Sequence, residues 1–148
     1  MTIKKVAILG KLPTKFEAPF GDPEWDIWAF NYHKEKLPRV TQWFDIHQHK
    51  PNPEAVITHD TFPFNEVINL VGGRYFNNSV SYLIAYAILT GYQEIALYGM
   101  AFVDDHEVRT MQKQNVRELV FFARGRGIKV TSPVNKSLLE GYPLYGIE

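Results

Sequence analysis

Apolar runs of strand length alternate along this chain with stretches that repeat at helical spacing. Residues 3–9 form an apolar, β-branched run closed by Gly10, the pattern of a strand buried on both faces of a parallel sheet. Residues 10–23 carry Pro13, Pro19 and Pro23 together with Gly10 and Gly21. That composition predicts a loop with at most one turn of helix. Residues 26–31 and 41–47 read as a second and a third strand, with the charged segment 32–38 as a short helix or loop between them. Pro51 and Pro53 break the chain before a weak fourth strand at 55–58.

Residues 63–70 predict a short helix, with Pro63 at its first helical position and Gly72-Gly73 closing it. The clearest helix is 78–89. Its Val80, Leu83, Ile84, Ala87 and Ile88 fall at i, i+3, i+4, i+7 and i+8. Asn77 or Asn78 caps it, and Gly91 ends it. Residues 94–98 predict a strand stopped by Gly99, and 109–126 a long helix with Val116, Leu119, Val120 and Ala123 as its apolar stripe. A last strand follows at 128–131, then a short Leu138-Leu139 segment. Strands alternating with helices require crossovers. The expected architecture is one Rossmann-like α/β domain over residues 1–148, three layers deep, with a mainly parallel sheet of about five or six strands.

Composition narrows the function. The chain has 148 residues, enough to bury a core without staples, and balances 16 basic against 16 acidic side chains. Zero net charge argues against a nucleic-acid binder. With no cysteine, thiolate zinc sites, iron–sulfur clusters, disulfides and a cysteine nucleophile are excluded. The absence fits a reducing, cytoplasmic setting. No apolar run reaches membrane-spanning length, and the apolar stretch before Gly10 is too short for a signal peptide. A homodimer is the expected way to cover any apolar helix face left open by so small a sheet.

Ligands of open parallel sheets bind outside the carboxyl ends of the strands. The segments expected there are 10–14, Asn31 with Tyr32, 45–49, 98–105 and the start of the helix at Asn78. Asn77-Asn78-Ser79 offers either simple capping or, with the free N–H groups behind it, a seat for phosphate or carboxylate. The turn Gly10-Lys11-Leu12-Pro13-Thr14 is neither a Walker loop nor a dinucleotide fingerprint. Asn31 ends an apolar strand and can bond a base, a ribose or a neighbouring loop. His47-Gln48-His49 and Asp104-Asp105-His106-Glu107 hold metal-competent side chains. Alternation would put His47 and His49 on one face, with Asp45, Asp60 or Asp104 as a further ligand. Arg124 and Arg126 read as a phosphate clamp or as cations at a helix C-terminus. Trp25, Trp28 and Trp43 read as packing residues, or one of them as a wall for a base.

Several of these segments together resemble the bacterial sialyltransferases that use CMP-sialic acid, and related small α/β proteins of phage genomes. Residues 4–10 with Pro13 and Thr14 resemble the family's first strand and its Gly-x-Gly-Pro-Ser turn. Residues 26–31 resemble its second strand, which ends in a nucleotide-contacting asparagine. Residues 77–102 resemble its Thr-Ser-Gly, helix, Gly-Tyr-Lys-Glu-Ile, strand and Gly-Ile-Asp-Phe, here with Gly91-Tyr92-Gln93-Glu94-Ile95 and Gly99-Met100-Ala101-Phe102. Residues 128–130 and 135–139 resemble its last strand and tail. The resemblance implies a Rossmann-like fold with a cytidine or other nucleotide near Gly10, Pro13, Thr14, Asn31, Asn77, Asn78 and Ser79. Asn77-Asn78 stands in place of Thr-Ser, Ala101 in place of an aspartate, and Lys11-Leu12 in place of Asn-Gly. The family's lid, which carries its catalytic histidine, is here reduced to the short segment 103–109.

The expected function is nucleotide or nucleotide-sugar binding, with glycosyl or nucleotidyl transfer as the reaction and His106 or His47 as the base. One alternative is a phage-type binder that sequesters a nucleotide signal without turnover. Another is a metal-dependent hydrolase using His47, His49 and a carboxylate. A nucleotide is the small-molecule partner in the leading reading, and no other cofactor is assigned.

Overall fold

A computed structural model of the chain describes residues 3–102 and 107–148. Six strands, β1 (Lys5–Leu9), β2 (Trp25–Phe30), β3 (Gln42–Asp45), β4 (Ile57–Thr58), β5 (Glu94–Tyr98) and β6 (Lys129–Thr131), form one sheet in the order β4-β3-β2-β1-β5-β6. Every neighbouring pair is parallel. Three helices accompany them: α1 (Phe64–Val71), α2 (Ser79–Leu89) and α3 (Glu107–Gly125). This is the Rossmann-like α/β arrangement that the alternation predicts.

Strands β1 to β4 step outward in one direction, and β5 and β6 in the other. Right-handed crossovers then put the two sets of connections on opposite faces. Val6, Ile8, Trp28, Phe44, Ile95 and Leu97 pack on one face with residues of α1, α2 and α3. Ala7, Leu9, Ile27 and Ala29 pack on the other with Ala18, Leu37, Phe20 and Val40. That second cover is a 3₁₀ turn, Pro13–Glu17, and loop. The prolines of 10–23 and the charges of 32–38 leave it no amphipathic stripe from which to build an α-helix.

The stripes read from the sequence are the buried faces: Val80, Leu83, Ile84, Ala87 and Ile88 on α2, and Val116, Leu119, Val120 and Ala123 on α3. On α2 the buried surface also takes in Ser81 and Ala85. Asn78 is the cap of α2, with extended backbone and its Oδ1 accepting the Ser81 N–H at 3.0 Å. Pro63 lies one residue earlier than expected, as the cap of α1 (φ −82°, ψ 70°), and Gly72 closes that helix at φ 88°. The third strand stops at Asp45 rather than running to His47. There the Asp45 carboxylate turns the chain by accepting the N–H groups of His47 (3.4 Å) and Asn52 (3.0 Å). Among the described residues no helix is long and apolar enough to cross a membrane.

Candidate functional site

The strand order reverses between β1 and β5. Outside the carboxyl ends of those strands lies the crevice where open α/β sheets bind ligands. A cleft of about 430 Å³ occupies that place, bounded by Gly10 and Lys11 after β1, Asn31 after β2, and Ile46 and His47 after β3. Met100, Ala101 and Phe102 after β5 close one side; Asn77, Asn78, Ser79, Val80 and Tyr82 at the start of α2 close another. Arg109 and Gln112 from the first turns of α3 complete the wall. The cleft therefore brings together Gly10, Asn31, His47, Asn77, Asn78 and Ser79. Pro13 and Thr14 open the 3₁₀ turn and do not line it. His106, like Asp104, lies outside the described residues.

The start of α2 is built as a clamp. Asn115, 5% exposed, accepts the Asn77 N–H at 2.9 Å and an Asn78 amide N–H at 3.3 Å. Its own amide donates to the Tyr75 carbonyl at 2.6 Å. Asn78 also donates to Asn77 Oδ1 and to the Gln112 carbonyl. The Asn78 side chain is thus occupied with capping and bracing. The N–H groups of Ser79 and Val80, the first two of the helix, have no acceptor within it and belong to residues that line the cleft. They are the donors left for an anion.

Asn31 takes the left-handed conformation (φ 60°), which costs an ordinary side chain energy and is most tolerated by Asn and Asp. Its backbone is pinned there: its N–H donates to the Phe44 carbonyl at 2.9 Å, and its own carbonyl accepts from Asn52 Nδ2 at 2.8 Å. Its side-chain Oδ1 is buried and, among the described residues, has no hydrogen-bond partner. A buried orphan acceptor costs about 1–3 kcal/mol, and it belongs to a residue of the cleft wall.

Asp45 is 4% exposed. Burial would raise its carboxyl pKa, but the Asn52 N–H and the ring and backbone N–H of His47 outweigh it and hold the group below the usual carboxylate range. An ionised carboxylate only accepts. His47 Nδ1, 3.0 Å from Asp45 Oδ1, is therefore the nitrogen that donates to it, which in the neutral ring leaves the lone pair on Nε2. The ring of His49 stacks on that of His47 at 4.9 Å. His49 also lines a neighbouring pocket that shares His47 with the cleft.

Arg124 donates to the Val130 carbonyl and lies over Phe121, while Arg126 lies over Phe122. Both sit near the C-terminal end of α3, about 20 Å along the helix from Arg109, and neither lines the cleft. Trp28 packs on Phe44, Tyr86 and Tyr92. None of the three tryptophans is part of the cleft wall. Two site residues escape a reading of the pattern alone. Arg109 stands in the first turn of α3, where a cation opposes the helix dipole. Asn115 lies four residues before Leu119, a polar group on an apolar face. Both departures were visible signals.

The chain matches no family model, and no curated protein matches its sequence. Among solved structures it is similar to the sialyltransferase CST-II in complex with a trisaccharide acceptor and CMP. That likeness has a TM-score of 0.53 and 16% sequence identity, over 95% of this chain and 89% of that chain. At that identity the likeness establishes the sialyltransferase-like fold.

Proposed function

We propose that the cleft between β1, β5 and the start of α2 binds a nucleotide or a nucleotide sugar. The observation that carries this reading is the convergence, at the switch point of the sheet, of two N–H groups without an acceptor in their own helix and one amide oxygen without a hydrogen-bond partner among the described residues. The phosphate sits at Ser79 and Val80, with Lys11 beside it as a cation. Asn31 Oδ1 accepts from the base or the ribose. Phe30 and Phe102, both on the cleft wall, supply apolar surface for the base. The CMP bound to the structural neighbour makes a cytidine nucleotide the first candidate.

If the bound nucleotide sugar reacts, the chemistry is glycosyl transfer. An acceptor hydroxyl attacks the anomeric carbon, the bond to the phosphate oxygen breaks, and the nucleotide leaves. His47 is then the base that takes the hydroxyl proton at Nε2, held in register by Asp45. Incubation of the full chain with CMP-sugars separates two outcomes. With a saccharide acceptor present, release of CMP matched by glycosylated acceptor, both lost in His47→Gln, supports transfer. Binding with no release leaves the protein a nucleotide binder without turnover.

A further inference from the structure

We propose that Asp45, His47 and His49 form a binding site for one metal ion of the zinc type, where His47 stands between the nucleotide cleft and its neighbouring pocket. Each of the three offers one ligand atom, and these atoms lie within 4.8 Å of one another. Tetrahedral zinc with bonds of about 2.0–2.1 Å needs its ligand atoms about 3.3 Å apart. The remaining closure is within the reach of side-chain rotation, because His47 and His49 stand in a bend beyond the end of β3.

The surroundings are arranged as those of a metal site are. Asp45 is already desolvated and anchored by the Asn52 N–H at 3.0 Å. His49 Nδ1 lies 2.8 Å from the Lys50 carbonyl. A carbonyl only accepts, so that nitrogen carries the proton and Nε2 is left as the ligand atom. This is the second contact that metal-bound histidines commonly make. The pocket beside them, about 480 Å³, is lined also by Gln48, Thr58, His59 and Asp60. It leaves room for the open fourth position of a three-ligand zinc site. Two imidazoles and one carboxylate favour zinc over magnesium, which prefers oxygen ligands in an octahedron. Zinc shared by Asp45 and His47 takes the place of the proton between Asp45 Oδ1 and His47 Nδ1; a neutral imidazole has one lone pair, so zinc loading and base catalysis through His47 are alternatives.

The test is a competition titration of the full chain against a chromophoric zinc chelator, with nucleotide absent. The expected result is one zinc per chain, at least tenfold weaker in His49→Ala, with magnesium failing to compete. Asp45→Asn is expected to weaken zinc similarly, but it also touches the turn, so His49→Ala carries the decision. No stoichiometric zinc binding, or equal affinity in wild type and His49→Ala, overturns the proposal. Nucleotide binding measured in EDTA is unaffected by His49→Ala in this account. The zinc site and the nucleotide reading therefore fail separately.

Discussion

Gly10 and Gly99 pass so closely at the mouth of the cleft that neither has room for a side chain. The Gly10 N–H donates to the Tyr98 carbonyl at 2.7 Å, and a Cβ on Gly10 would stand 2.2 Å from the Gly99 oxygen. A Cβ on Gly99, at φ 68°, would meet the Gly10 and Leu12 carbonyl oxygens at 2.9 Å. The obstructing atoms are backbone, so no rotamer relieves them. Gly10→Ala is expected to cost about 2 kcal/mol and to lower the melting temperature by roughly 6 °C, as read by circular dichroism. An unchanged melting temperature would mean that β1 and β5 do not leave the sheet in this way.

The asparagine clamp gives a second expectation. Replacing Asn115 by Leu leaves the Asn77 N–H and the Tyr75 carbonyl without their partner, at a cost of about 2 kcal/mol. Asn78→Ala loses the cap, about 1 kcal/mol, whereas Asn78→Ser keeps most of it. Urea denaturation should rank stability as wild type, then Asn78→Ser, Asn78→Ala and Asn115→Leu.

His33 makes stability depend on pH. It is 7% exposed, and Lys15, 1% exposed, lies 3.2 Å from its Nδ1 while pairing with Glu35 at 2.8 Å. Burial first, then the positive charges of Lys15 and Lys11, push the imidazole from its ordinary 6.5 down to about 4. Between those values the unfolded chain takes up a proton that the folded chain refuses. Stability therefore falls as pH drops through that window. The hydrogen bond from Lys15 holds the Glu35 carboxyl below its usual range, and that contribution is also lost on the acid side. Wild type at pH 5 should be weaker than at pH 7.5 by about 1–2 kcal/mol. His33→Asn, which keeps an acceptor for Lys15 but does not titrate, should flatten the difference. An equal slope in both proteins would remove His33 as its source.

The two long helices and the positions of most strands along the chain were legible because periodicity is a local signal, whereas the order of the strands in the sheet was not. Leu83, Ile84 and Leu119 declare their burial by spacing alone, and Asn78 declares a cap by its place before them. The end of β3 was not legible, because Asp45 turns the chain through an N–H supplied seven residues later by Asn52. The loop cover of the second face could be read only as an absence of helix signal. The grouping of Gly10, Asn31 and Asn78 around one cleft followed from the rule for parallel sheets. Lys15 and His33 gave no hint of their burial, since each depends on the other and on Glu35, twenty residues from Lys15.

The central claim is that this cleft binds a nucleotide, and thermal melting of the full chain in EDTA with CMP, CDP, CMP-sugars and other nucleotides tests it most directly. A ligand held only by the folded state at a hundred times its dissociation constant adds about 2.7 kcal/mol, several degrees for a chain of this size. The account predicts such a rise with at least one nucleotide. It also predicts a smaller rise in Lys11→Glu, measured from that variant's own ligand-free melting temperature. No rise with any nucleotide at millimolar concentration would contradict it.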